Sequence, residues 1–129
     1  IPCVYYGSEW GAKANKSEGD PALRACFDAP VENELTAWIS KLAHAKRESK
    51  ALNYGAFKSL VLTNRQCIFE RECEGERVLV AINADEAPYT AHFDARAGQA
   101  IDLISGETHD FGGGSELPPY SAFFWKTEC

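Results

Sequence analysis

Residues 66–83, QCIFERECEGERVLVAIN, decide the fold. Two runs, QCIFEREC (66–73) and RVLVAIN (77–83), are rich in β-branched and aromatic residues, and the Glu74–Gly75 pair between them lets the chain reverse. They read as an antiparallel hairpin. Its charged tip, ERECEGER (70–77), alternates Arg and Glu in the manner of an exposed strand face rather than a ligand cluster.

The same texture continues outward on both sides. FKSLVLT (57–63), PYTAHFD (88–94), QAIDLIS (99–105), ETHDF (107–111) and YSAFFWK (120–126) are further strand candidates, divided by NR, ADEA, ARAG, SG and GGGSELPP. Seven or eight strands with no helical stretch among them predict a mainly β fold, a Greek-key antiparallel β-sandwich over residues 52–129. The glycine triplet 112–114 precedes SELPPYS, which does not open a helix, so it reads as a hairpin connection and not as a phosphate-binding loop.

Upstream the period changes. In ENELTAWISKLAHAKRESK (32–50), Leu35, Trp38, Ile39, Leu42 and Ala45 fall on one face at helical spacing, which predicts an amphipathic helix. Asn33 suits its N-cap, Glu32 and Glu34 its positive end, and Lys46, Arg47 and Lys50 its negative end. Residues 7–30, rich in Gly, Ser, Asp and Lys, predict a long loop of the kind that serves binding sites. Before it, Pro2–Tyr6 is an apolar run that stops at Gly7 and reads as a buried strand. A chain without Met that starts inside a strand is expected to lack its native start.

At 129 residues, 45% hydrophobic and 25% charged, the chain holds one ordinary domain and an appendage. A net charge of −6 offers no attraction to nucleic acid or anionic lipid. No apolar run approaches the roughly 20 residues of a membrane span. Five cysteines, an odd number without a C-x-x-C pair, fit reduced thiols and a cytoplasmic setting. Cys67 and Cys73, on one strand, stand roughly 20 Å apart at 3.3 Å per residue, too far to bridge. No metal or cofactor is expected.

Side chains that could carry chemistry have plainer readings. His44, His92 and His109 are scattered, as isolated histidines are. The 19 acidic residues single out no pair of the kind that glycosidic cleavage uses. Trp10, Tyr54, Tyr120 and Trp125 could stack on sugar rings, yet core packing is the default for aromatics. In GDPALR (19–24), Asp20 and Arg24 lie four apart. A local ion pair is the simplest reading, and paired hydrogen bonds to vicinal sugar hydroxyls the functional one.

Several stretches, in order, resemble the α-amylase family of glycoside hydrolases. IPCVYYGSEWG (1–11) is similar to the G-x-P-x-x-Y-Y-G-x-E segment at the eighth barrel strand, without its leading glycine. NELTAWISKLAHAKRESKALNYGAF (33–57) resembles the last barrel helix and its L-R-x-x-x-x-A-L-x-x-G exit, with another residue at the arginine position. CIFERECEGERVLVAINADEAP (67–88), DLISGE (102–107) and ELPPYSAFFW (116–125) resemble strands of the family's C-terminal β domain. DPALR (20–24) resembles the D-P-x-x-R loop of neopullulanase-like and cyclomaltodextrinase-like members, while ACFDAP stands where the family has P-M-x-W.

The resemblance implies that residues 1–51 are the tail of a (β/α)8 barrel (strand 8, a substrate-side loop and helix 8) and residues 52–129 a C-terminal β-sandwich. It implies a parent enzyme acting on α-glucosidic bonds of maltooligosaccharides, with Asp20 and Arg24 holding a sugar and Tyr6 at the barrel rim beside them. The catalytic carboxylates lie on earlier strands of the family, so none is assigned here and the fragment is expected to be inactive. Its partners would be an α-glucan oligosaccharide, the remainder of the barrel and, through an exposed barrel-facing surface, a second copy. The alternative is a stand-alone carbohydrate-binding or interaction module.

Overall fold

The structure, a computed structural model, describes residues 2–127. Its contacts form two compact units, with the boundary between Ala43 and His44. That boundary falls inside the long helix, whereas the sequence reading divided the chain at 51/52.

The second unit is a β-sandwich. Its larger sheet has the order β1 (Ala56–Leu62), β2 (Gln66–Cys73), β3 (Glu76–Asn83), β8 (Ser121–Thr127), β5 (Gln99–Asp102), β6 (Thr108–Asp110). The smaller pairs β4 (Tyr89–Ala91) with β7 (Ser115–Leu117). Every pairing is antiparallel. The hairpin 66–83 lies at the centre, and β3 is buried at all positions but Ile82 because β2 and β8 flank it and both its faces are covered.

The two faces explain why VLVAI reads as an unbroken apolar run. Leu79 and Ala81 point inward, where Ile68 and Trp125 meet Ala91 and Leu117 of the small sheet. Val78 and Val80 point outward, under Ala51 and Leu52 of the short helix α3 (Lys50–Tyr54).

The strand expected within 88–94 is realised as β4, and QAIDLIS and ETHDF shorten to β5 and β6. One strand was hidden. β7 occupies Ser115–Leu117, inside the stretch read as a turn, so the glycine triplet does not close a hairpin; it moves the chain from β6 in one sheet to β7 in the other. A three-residue strand is too short to show a period of two.

The helix forms as α2 (Glu34–Glu48), and Asn33 caps it, Oδ1 accepting from Thr36 N at 3.0 Å. The amphipathic reading stops short of Tyr54, because Ser49 leaves helical geometry and starts α3, its Oγ accepting from Leu52 N at 3.0 Å. Glu76 adds a second cap, its Oε2 accepting from Lys50 N at 2.7 Å and Ala51 N at 3.2 Å. These bonds tie α3 to the start of β3.

In the first unit, Pro2–Tyr6 is not a strand. A strand exists only by pairing, and none of the described residues pairs with it. The loop that follows is folded into short turns, Ser8–Trp10, Lys16–Glu18 and the single helical turn α1 (Asp20–Leu23). Cys129 lies outside the described residues.

Candidate functional site

The first unit is built around Gly7. Its φ of +88° suits glycine, and a Cβ there would meet the Phe27 ring at 3.0 Å. Phe27 in turn stands edge-on to Trp10 at 5.1 Å and to Tyr6 at 6.0 Å. Two polar ties hold the turn against α2: Asn33 Nδ2 donates to Trp10 O at 3.0 Å, and Thr36 Oγ1 to Glu9 O at 2.9 Å. The Y-Y-G-x-E stretch is thereby a corner set by ring packing and by the first turn of a helix.

Beside this corner is a hollow of about 240 Å³, walled by Tyr5, Tyr6, Lys13, Leu23 and Phe27 among others. None of its lining residues is acidic. Of the three residues expected at a site, Tyr6 lines it, whereas Asp20 and Arg24 do not. They flank the stretch Ala22–Leu23 that does.

Gly19, at φ +86°, and Pro21, in the first turn of α1, set the entry to that turn. The simplest expectation for Asp20 and Arg24 is not met: among the described residues no ion pair joins them. Both are exposed, with their hydrogen-bonding capacity facing solvent. Hydrogen bonding with the Tyr5 side chain, and then lost solvation, raise the Tyr6 hydroxyl above the usual tyrosine range, and the Arg24 charge opposes the rise. Arg24 is therefore within electrostatic reach of Tyr6.

In the sandwich the structure corrects the reading of the charged hairpin. ERECEGER is not an exposed face: Glu70 is 4% and Arg77 5% accessible. Arg77 donates to Glu70 Oε2 through Nε at 3.0 Å and Nη2 at 2.9 Å, and through Nη1 to Ala95 O at 2.6 Å. Arg96, from the turn before β5, reaches Glu70 at 2.8 Å and Glu72 at 2.7 Å. Burial pushes the Glu70 carboxyl up, but bonds from Arg96 and Arg77 outweigh it and hold it below the usual carboxylate range.

The inner face is closed at its other end by a second polar set. Asn83 Oδ1 accepts from Gln66 Nε2 at 2.9 Å, while Asn83 Nδ2 donates to the carbonyls of Ala87, Leu117 and Pro118. Parity carried the missed signal. Gln66, Ile68 and Glu70 alternate on one face of β2, so the face that buries Ile68 also buries the polar pair flanking it. Both sets are internally satisfied, which makes them structural rather than reactive.

The remaining candidates do not assemble. His109 stacks on Trp125 at 4.1 Å and 6°, and its Nε2 lies 2.8 Å from Ser115 Oγ, joining β6 to β7. Burial lowers its imidazole from the usual value, with Asp110 opposing. Among the described residues no three His, Cys, Asp or Glu form a group that could hold a metal ion. Trp125 is core, at 1% accessible. Tyr54 and Tyr120 are exposed, but they precede Ala56, which pairs with Glu72 at one end of the large sheet, and Ser121, which pairs with Asn83 at the other. They make no common platform.

Comparison with known proteins gives a consistent picture. No family model matches the chain. A cyclomaltodextrinase of Thermoanaerobacter pseudethanolicus is 29% identical over 98% of this chain, which spans 22% of that relative. A Bacillus cyclomaltodextrinase is 31% identical over 69% of the chain and 16% of its own length. Among solved structures, the α-amylase of Geobacillus thermoleovorans complexed with acarbose superposes on 97% of this chain, 29% of its own, with a TM-score of 0.83 at 20% identity. The γ-cyclodextrin glucanotransferase (γ-CGTase) of alkalophilic Bacillus clarkii covers all of this chain with 21% of its own, at a TM-score of 0.76 and 26% identity. The chain spans less than a quarter of the length of these curated relatives. In sequence and in fold it is the counterpart of the C-terminal part of α-amylase-family enzymes, cyclomaltodextrinases among them.

Proposed function

We propose that the chain is the C-terminal scaffold of a hydrolase that cleaves α-glucosidic bonds of maltooligosaccharides or related α-glucans. The carrying observation is collinearity, a cyclomaltodextrinase aligning over 98% of the chain. Asp20, Arg24 and Tyr6 form one edge of the sugar cleft. An exposed carboxylate and guanidinium with no ion pair between them, the guanidinium close enough to influence a tyrosine hydroxyl, suit the vicinal hydroxyls of a neutral sugar.

Bond cleavage by a retaining glycosidase needs two carboxyl groups about 5–5.5 Å apart around the scissile bond. The hollow beside Tyr6 carries none. Cleavage therefore belongs to the rest of the parent, and the sandwich covers its apolar surface. The free thiols of Cys3, Cys26, Cys67 and Cys73 suit a cytosolic enzyme that needs no disulfide or cofactor.

Reducing-end release from maltoheptaose tests the reading. The longer protein that carries this chain is expected to turn over the sugar, and the 129-residue chain to be silent. Turnover by the chain alone, or silence of the longer protein on every α-glucan, overturns it.

A further inference from the structure

Two hollows on the sandwich share a floor. The larger, of about 730 Å³, is walled by the turn 94–98, Gln99 and Asp110, and the smaller, of about 290 Å³, by His92 and the glycines 113 and 114. Phe93 and Phe111 line both, half-buried and edge-on to each other at 6.0 Å and 75°. Phe93 follows β4 of the small sheet and Phe111 follows β6 of the large one, so the rings bridge the seam between the sheets. They pack against the inner core, on the side of the large sheet opposite α3.

The turn beside them is held in a costly shape. Arg96 has a φ of +50°, rare for a bulky residue and kept only where the surroundings enforce it. Asp94 Oδ1 accepts from Arg96 N at 2.9 Å, Arg96 Nη2 is held by Glu70 and Glu72, Ala95 O accepts from buried Arg77, and Gly98 O accepts from Phe111 N at 3.0 Å. With the turn so fixed, acceptors are left over: among the described residues, Asp94 Oδ2 and Gln99 Oε1 accept no hydrogen bond. Neither a left-handed φ nor a neighbour requires glycine at Gly98, where a Cβ would meet nothing within 4 Å. A glycine there keeps the backbone open to close approach by a ligand.

We propose that this seam binds an α-glucan chain, a sugar face lying on Phe93 and Phe111 and its hydroxyls donating to Asp94 and Gln99; the choice of α-glucan rests on the hydrolase reading above. Phenyl rings suit the C–H face of a sugar, and a carboxylate and an amide carbonyl suit its hydroxyls. The larger hollow is of the size that small-molecule sites have, roughly 300–1,000 Å³. Asp94 and Asp110 disfavour an anion. A polyamine fits less well than a sugar, because Gly112 N and Gln99 Nε2 engage both Asp110 oxygens and Arg96 shares the wall.

Maltoheptaose titrated into the isotope-labelled 129-residue chain, followed by amide NMR shifts, tests the proposal. The amides of 93–99 and 109–114 are expected to move. Gly98→Leu, which fills the hollow from an open position, is expected to weaken that response at least about tenfold at an unchanged urea midpoint. Gln99→Ala, at an exposed position, is expected to weaken it about three- to tenfold, the scale of one hydrogen bond, and carries the test if Gly98→Leu misfolds. Still amides in these segments, a response that neither variant alters, or spermine moving them where maltoheptaose does not, overturns the proposal. A longer protein that hydrolyses maltoheptaose while these amides stay still removes the seam site alone. Amides that move in the chain of a longer protein that releases no reducing ends from any α-glucan keep the site and remove the hydrolase reading.

Discussion

Glu70 shows how much one side chain can bind together. It is acceptor to Arg77 and Arg96 at once, and so joins β2, β3 and the turn before β5. Glu70→Ala leaves Arg77 buried without its counter-charge, and the expected loss is about 3–5 kcal/mol of unfolding free energy, read from urea midpoints. Titration follows the same geometry. A carboxyl held below its unfolded value contributes stability that is full above the unfolded pKa of about 4.3 and is lost as pH falls through the lower folded value. An imidazole held below its unfolded value resists protonation in the fold, so the His109 contribution is full above about pH 6.5 and falls as pH drops below it. Urea midpoints between pH 8 and 3 should therefore fall in two stages, with His109→Gln flattening the upper stage and Glu70→Ala the lower. A single stage that neither variant alters would contradict both assignments.

Among the elements, α3 depends most on fit. Gly55 ends it where a Cβ would lie 2.5 Å from Ala51 O and 2.8 Å from Glu72 N, both backbone atoms that cannot swing aside. Gly55→Ala is expected to cost about 1–3 kcal/mol, as overpacking does, by lifting α3 from β2. Faster exchange of the Ala51 and Leu52 amides would show that lift, and unchanged exchange would count against it. The long elements were legible because their period was long enough to see. α2 and β1–β3 each run seven residues or more. β7 was invisible for the opposite reason, and so was the break at Ser49, where one hydroxyl turns a continuing helical pattern into a cap.

At the scale of the molecule, the proposed role of the loop 7–30 is to hold sugar, and it makes a prediction. In the longer protein Asp20→Ala and Arg24→Ala are expected to raise KM for maltooligosaccharides about tenfold with kcat little changed, the result of removing contacts made equally in ground and transition states. A fall in kcat at constant KM would move these residues from holding the sugar to the chemistry. The residue pattern offered Asp20 and Arg24 as an ion pair; in the folded turn both are exposed and, among the described residues, no such pair joins them. Tyr6 is tied to the same place by ring packing on Phe27, a partner 21 positions away that no local rule selects.

The amino-acid order by itself determined the mainly β class, the amphipathic helix with its Asn33 cap, and the family likeness, because periodicity, capping and motif order are local properties. Tertiary structure alone decided that the triplet glycines cross between sheets and which charges of ERECEGER are buried, and it gives Pro2–Tyr6 no strand partner among the described residues. Each of those outcomes turns on pairing or burial by a segment distant in the chain, and a desolvated ion pair has the same sequence as a solvated one.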